Sequence, residues 1–453
     1  MRYASFLACC ALPLFAFATL EPVSDWKASF GGDFRFRHEM YREMNTNLYG
    51  LAPTVNPNAT NGIVPSNSYL RIRTRLWGEL EHKYATFYVR AANEFRHYFL
   101  TDSYEGDRRF PDQLFIDNLY VDLRLPDDSL TLRIGRQDYR PGSGRLLGEG
   151  TPADGSRSSF YDGARLRWNF EKERSLDLFA LYGCRHDWLP KLGRRDPPNQ
   201  RGGKSFEYEY SALDQWEWFT GAYYTDRSNK ALGWDAYLVL KGEEDRRVLQ
   251  QYGYDYSEHT ITVGTRLLPK FSETLSGELE IALQTGENMS LAAMVYGALT
   301  RTFVMDWKPS LTLACLWYSG DSDGQRGEHA WRDVGNRALG FGDLDDPFFL
   351  GGSISNLIYP HVDFSITPAE GHLFALRFGP MFQQTSWKDQ PGGNTYGLFG
   401  YFLYDITLEK VVGDWMKGAN LSFYLEYLHE GSFVESDVRG NALYACTQLL
   451  WTF

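Results

Sequence analysis

Apolar and polar residues alternate one by one along most of this chain. In WKASFGGDFRFRHE, Trp26 to Glu39, the even positions are Trp26, Ala28, Phe30, Gly32, Phe34 and Phe36. The odd positions are Lys27, Ser29, Gly31, Asp33, Arg35 and Arg37. A period of two is a β-strand signal, because successive side chains point to opposite faces. SYLRIRTRLWGELE sets Leu70, Ile72, Leu76 and Leu80 against Arg71, Arg73, Arg75, Glu79 and Glu81. YATFYVRAANEFR opposes Ala85, Phe87, Val89 and Ala91 to Arg90, Glu94 and Arg96, and FYDGARLRWNF opposes Ala164, Leu166, Trp168 and Phe170 to Arg165 and Arg167. The pattern predicts eighteen strands, near 26–39, 66–82, 83–96, 113–125, 129–139, 159–170, 174–185, 214–225, 230–241, 256–268, 273–285, 289–305, 309–318, 353–366, 371–384, 396–409, 418–429 and 441–453. No convincing amphipathic helix interrupts them, so the expected class is all-β.

Alternation alone permits two inverted folds. A soluble sheet buries its aromatic face and wets its arginines; a membrane barrel turns the aromatics to lipid and the arginines to an aqueous lumen. Three features choose between them. Long polar, Gly/Pro/Asn-rich stretches (40–65, 97–112, 140–158, 186–213, 242–255 and 319–352) follow odd-numbered segments, while even-numbered segments end in brief turns such as Leu125-Pro126-Asp127-Asp128 and Glu171-Lys172-Glu173. Outer-membrane barrels alternate long external loops with short periplasmic turns in this way, and an even strand count permits antiparallel closure. The step around Gly286-Glu287-Asn288 breaks the rhythm. The chain ends NALYACTQLLWTF, an alternating strand with an aromatic two residues before a final Phe453, which resembles the assembly signal of bacterial outer-membrane barrels. Finally, charge on a lipid face costs about 2–4 kcal/mol near the midplane, so the arginine faces must be wet. Tryptophans near segment ends suit interfacial girdles. The expectation is a transmembrane antiparallel β-barrel of about 18 strands with short periplasmic turns and long extracellular loops.

Composition adjusts this picture only at the edges. Mean hydropathy is -0.41, and after the first twenty residues no run approaches the ~18 apolar residues of a spanning helix. Arg2, the apolar stretch Leu7–Phe17 and Ala16-Phe17-Ala18 have the layout of a secretory signal, so residues 1–18 are expected to be removed and 19–453 to form one barrel domain. Beyond it Cys184, Cys315 and Cys446 are too sparse and too few for a disulfide framework. Neither a metal-ligand spacing nor a catalytic motif is recognisable among the nine histidines, and Gly142-Ser143-Gly144 lacks the spacing of a nucleophile elbow. No catalytic residue, metal or cofactor is therefore assigned.

The candidate chemistry lies in the arginines. Guanidinium groups stay charged at any working pH and offer paired donors that match carboxylates. Arg35, Arg37, Arg71, Arg73, Arg75, Arg90, Arg165 and Arg167 come from the first six segments, which neighbour one another in a barrel and would form a basic arc favouring anions. The opposing possibility is lumen filler held in salt bridges with Asp33, Glu79, Glu81 and Glu94. The net charge of -12 does not contradict the arc. Residues 19–170 hold as many basic as acidic side chains, so the deficit lies downstream.

Several stretches resemble the alginate-export family of bacterial outer-membrane porins. They are FGGDFRFRHE, LYVDLRLPDDSLTLRIGRQDYRPGSGRLLG (119–148), SRSSFYDGARLRW (156–168), LWYSGDSDG (316–324) and SISNLIYPHVDFSITP (353–368). The resemblance implies a monomeric eighteen-stranded barrel whose electropositive pore passes a polyuronate outward. It singles out Asp33, Arg35 and Arg37, then Arg133, Arg136 and Gln137 in LRIGRQ, and Arg145, Asp162 and Arg165. Arg136 departs from the inward parity of its strand, so either Gly135 marks a bulge or the residue sits above the lipid band. The pore-lining, substrate-guiding set is thus Asp33, Arg35, Arg37, Arg71, Arg73, Arg75, Arg90, Arg133, Arg136, Arg165 and Arg167. Expected partners are an anionic polysaccharide or oligosaccharide, outer-membrane lipid and lipopolysaccharide, and the barrel-assembly machinery through the strand ending at Phe453; nucleic acid is not expected. Alternatives are an anion-preferring general porin, a barrel-embedded hydrolase, and a closed barrel serving adhesion or assembly through its loops.

Overall fold

A computed structural model describes residues 25–42, 44–45, 63–64, 67–99, 108–148, 161–183, 189–190, 192–193, 216–244, 257–323, 327–335, 344, 355–386, 388, 392–433 and 439–453. The expected leader, residues 1–18, and most of the long stretches that follow odd-numbered strands lie outside them.

Each segment that alternates in sequence forms a strand. The first nine are β1 (Lys27–Arg42), β2 (Asn67–His82), β3 (Ala85–Tyr98), β4 (Arg108–Arg124), β5 (Leu130–Gln137), β6 (Tyr161–Glu171), β7 (Arg174–Gly183), β8 (Trp216–Asp226) and β9 (Leu232–Glu244). They continue as β10 (Ser257–Pro269), β11 (Leu275–Gly286), β12 (Met289–Thr302), β13 (Ser310–Tyr318), β14 (Leu357–Ile366), β15 (His372–Phe382), β16 (Thr395–Thr407), β17 (Ala419–Glu430) and β18 (Asn441–Thr452). Each pairs antiparallel with the next, and β18 returns to β1 with Asp33 opposite Thr452 and Arg42 opposite Leu443. The result is a closed eighteen-stranded antiparallel barrel. Closure satisfies every edge, which a sheet spanning lipid requires.

The seam explains the glycine pair in FGGDF. Gly32 and Phe453 exchange two backbone hydrogen bonds, each 2.9 Å. A Cβ at Gly31 would lie 2.6 Å from the Phe453 carbonyl oxygen and 2.6 Å from the Trp77 ring. Two side-chain-free residues therefore let the last strand dock on the first.

The two faces separate as the alternation requires. On β1 Phe36 and Met40 are exposed outward while Arg35, Arg37 and Glu39 are buried inside. On β18 Ala442, Tyr444, Cys446 and Gln448 are buried, whereas Trp451 and Phe453 are exposed. The β2–β3, β4–β5 and β6–β7 turns are short as expected. In the β4–β5 turn the Asp127 carboxylate accepts hydrogen bonds from the Ser129 hydroxyl and backbone N–H, which hold its carboxyl below the usual range.

Two connections depart from the rhythm. β11 and β12 are joined by Glu287 and Asn288 alone, with Asn288 at φ 54. That left-handed conformation, tolerated by Asn, closes a tight hairpin on the side of the long loops. The irregularity read there in sequence is a property of the fold. Conversely the β16–β17 turn is long and holds a short helix, α1 (Leu408–Val412).

The interior is not an open tube. Residues 138–148 after β5 and 327–335 after β13 fold inward and meet, Leu147 pairing in parallel with Gly335. Their Tyr139, Leu146, Leu147, Trp331 and Val334 pack with inward residues of the wall, among them Phe179, Phe219, Tyr237 and Met294.

Candidate functional site

Antiparallel register places the arginines in rows across neighbouring strands. Arg35 lies opposite Arg73 and Arg37 opposite Arg71 between β1 and β2, and Arg133 lies opposite Arg165 between β5 and β6. Like charges directly opposed repel, so each pair needs counterions. The first two pairs are supplied from within the wall. Glu94 stands 3.3 Å from Arg35 and 3.7 Å from Arg71, and Glu39 stands 3.2 Å from Arg71 and 3.5 Å from Arg37. Asp33 holds Arg73 at 3.5 Å and Arg75 at 2.6 Å. Gln448, brought in from β18, accepts from Arg37 at 2.6 and 3.0 Å. Arg35 is fully buried (0 %) and Arg73 nearly so.

Elsewhere the register partner itself is the counterion. Arg133 makes a bidentate pair with Asp122 at 2.7 Å on both arms, Arg167 pairs with Asp177 at 2.7 and 2.8 Å, and Arg136 pairs with Asp162 at 2.9 and 3.0 Å. Arg90 spans Asp117 at 2.8 Å and Asp138 at 3.0 Å. Arg165 differs: its guanidinium sits 5.0 Å from the Tyr139 ring and makes no ion pair among the described residues. The side chain of Arg167 is 46 % exposed and that of Arg133 21 %. Arg133, lying 3.7 Å over the Tyr120 ring, is further held in place by that stacking.

Arg136 resolves the parity puzzle. Register runs unbroken through Gly135 opposite Gly163, but both glycines have positive φ, 127 and 155. A Cβ at Gly135 would collide with the Leu119 carbonyl. The twisted backbone turns Arg136 into the wall, where it also donates to the Ile116 carbonyl at 3.0 Å. Of the two alternatives the bulge is absent, since the register does not shift at Gly135. Gln137 donates beside Arg136 to the carbonyls of Gly135 and Gly163, each at 3.3 Å.

The inward loops add a second set of cations. Arg145 reaches from the loop after β5 to Glu278 at 2.5 Å and Glu280 at 2.9 Å on β11, and lies 3.4 Å over the Tyr296 ring of β12. Ser143 donates to Glu280 at 2.7 Å. From the other loop Arg332 pairs with Glu258 at 2.9 Å and exchanges backbone hydrogen bonds with the Gln284 amide. Lys241, almost fully buried, is clasped by Glu243 and by the Asp333 carbonyl at 2.8 Å. These anchors hold both loops across the lumen and narrow it. The inward face here is a wall of fixed, paired charges. Among the described residues no three His, Cys, Asp or Glu side chains gather as a metal site would need.

A sequence profile of the family described as alginate export matches residues 28–333. The chain belongs to the alginate-export family. No curated protein matches it in sequence. Solved structures that share the fold include Acinetobacter baumannii OccAB1, with TM-score 0.59 and 10 % identity over 94 % of this chain and 96 % of that one. OccAB2 of the same organism gives 0.58 and 12 % over 94 % and 98 %. The outer membrane protein OprD of Pseudomonas aeruginosa gives 0.52 and 9 % over 95 % of both. At such identities the likeness concerns the fold.

This alginate-export barrel is an integral protein of the bacterial outer membrane and a channel. Its site includes residues that the basic arc did not contain. Arg266 pairs with Glu278 at 2.8 Å and Arg377 with Asp363 at 2.5 and 2.6 Å, both on inward faces of later strands. The same alternation marks them, since each falls on the inward parity of its strand. Lys241 likewise falls on the inward parity of β9, whereas Arg332 had no such signal, because its place depends on where a loop folds.

Proposed function

We propose that this channel conducts an anionic saccharide of the polyuronate class, guided along the inward arginines of β1–β6. The observation that carries the reading is the Arg133/Arg165 pair: of two opposed guanidinium groups only Arg133 is ion-paired, to Asp122, and neither is fully buried. A sugar carboxylate arriving there would relieve the repulsion that elsewhere in the wall is relieved by Glu39, Glu94 and Asp33. Carboxylate recognition by planar guanidinium donors is strong and directional. The family's description as alginate export supports the same substrate class. The reading makes the protein a passive conduit without a catalytic step, assembled through its C-terminal strand, whose Phe453 is exposed at the seam.

Reversal potentials of the purified barrel in planar bilayers under a salt gradient test it, together with block of the current by oligouronates. Anion preference and block by oligouronate, but not by a neutral oligosaccharide of equal length, are the expected results. The density of wall ion pairs favours a second reading, a general porin without a specific substrate. Equal block by both saccharides would support that reading against ours. Release of shortened uronate by the purified barrel would overturn the absence of a catalytic step.

A further inference from the structure

The periplasmic turns of the barrel differ in polarity. Between β6 and β7 the chain turns on Lys172 and Glu173, and between β8 and β9 on Arg227 to Ala231, both polar. Between β16 and β17 it carries α1 and then a 3-10 turn, Asp414–Met416. No residue of either helix is buried. Val411, Val412 and Trp415 are exposed, Trp415 by 72 %. Three exposed apolar side chains on one turn call for an explanation.

The hydrogen bonds of the segment show which way it leans. The Trp451 indole N–H donates to the Lys417 carbonyl at 3.0 Å. Trp451 belongs to the outward set of β18, opposite in parity to the buried Tyr444, Cys446 and Gln448. The segment therefore returns to the wall on its lipid-facing side. At its other end Lys410 is tied to Glu370 of the neighbouring turn at 3.1 Å, and Thr407 donates to the Gly371 carbonyl at 2.8 Å. Gly413, at φ 106, donates to the Glu409 carbonyl and ends α1. The segment is thus pinned along the rim, continuous with the lipid-facing residues Phe423, Leu425, Trp451 and Phe453.

We infer that residues 408–418 form an interfacial anchor that inserts Val411, Val412 and Trp415 into the periplasmic leaflet of the outer membrane, with phospholipid as the ligand. Tryptophan favours the headgroup level, where its ring is in apolar surroundings and its N–H is bonded. Here that N–H donates to the Val412 carbonyl at 3.0 Å, so no donor is left unsatisfied by insertion. Lys410 and Lys417 flank the apolar residues and are both exposed, placing ammonium groups at phosphate height. The occupant is lipid rather than a protein because the patch merges with a wall that lipid already covers.

The test is local depth in phospholipid vesicles that contain no other protein. In a chain whose natural cysteines are replaced by serine, a nitroxide is attached after Val412→Cys. Parallel labels follow Leu425→Cys on the lipid-facing wall and Asn229→Cys in a polar turn. Val411→Cys takes the place of the first variant if its heat-modified gel mobility shows that it has not folded. Collision with oxygen severalfold above collision with a water-soluble nickel chelate, as at Leu425, is the expected result. Collision dominated by the chelate, as at Asn229, overturns the inference. Independently, Trp415→Phe should remove part of the tryptophan fluorescence quenched by phospholipid brominated near the headgroup, and an unchanged quenched fraction also overturns it. Neither readout depends on what the channel conducts.

Discussion

Two arginine pairs of this barrel occupy equivalent places and do different things. Arg35 and Arg73 face each other across β1 and β2; Arg133 and Arg165 face each other across β5 and β6. Around the first pair Asp33 and Glu94 stand within ion-pair distance, and both guanidinium groups are buried. Around the second, Asp122 neutralises Arg133, while Arg165 rests near a tyrosine ring. The contrast teaches that how firmly the wall holds an inward arginine depends on the carboxylates in the adjoining rows. The residue and its parity are the same in both cases.

The comparison breaks most readily at Glu94. Removing it leaves the buried Arg35 and Arg71 short of a counterion, and stranding buried charge costs about 3–5 kcal/mol. Glu94→Ala should therefore lower unfolding stability by that amount, measured by urea titration of the barrel in micelles. An unchanged midpoint would mean that the first sector is as adaptable as the second.

Arg136→Ala should cost less, roughly 2 kcal/mol, because it removes a bidentate charged hydrogen bond within the wall. Ion selectivity should stay as it was, since Arg136 is turned away from the passage. A shift in reversal potential with this variant would put Arg136 among the solute-facing groups.

At the second pair the effect should move from stability to selectivity. A unit charge 4 Å from an ion in water is worth about 1 kcal/mol, so Arg165→Ala should reduce the anion-to-cation permeability ratio by roughly fivefold. Stability should change by no more than about 0.5 kcal/mol. The reverse outcome, lost stability with intact selectivity, would erase the distinction between the sectors. Asp122→Asn sharpens it with the smallest expected effect. Freeing Arg133 at about twice that distance should raise anion preference by roughly twofold.

Much of this architecture was legible in the chain. Alternation located all eighteen strands, and the long–short rhythm of connections indicated which ends carry loops. FGGDF was legible as a strand but not as a seam, because what Gly31 and Gly32 accommodate is Phe453 at the far end of the chain. Arg136 was legible as an anomaly. Its resolution needed the positive φ of Gly135 and Gly163, which the parity of a single strand does not contain. The loops that cross the lumen were invisible as such: RPGSGRLLG reads as an ordinary polar, glycine-rich loop until Arg145 is seen against Glu278, Glu280 and Tyr296.

What the sequence determined by itself was the barrel and the sidedness of its wall. Lipid on one face and water on the other impose a choice at every residue, and that choice is written locally, two positions at a time. The tertiary structure decided which charges meet. Arg37 and Gln448 are 411 positions apart and Arg145 and Glu278 are 133 apart, joined only by closure and by a loop folding inward. Pairing across such separations follows from register and loop path. Both are set by the whole assembled sheet, so no local stretch of sequence records whether a given arginine meets a carboxylate of the wall.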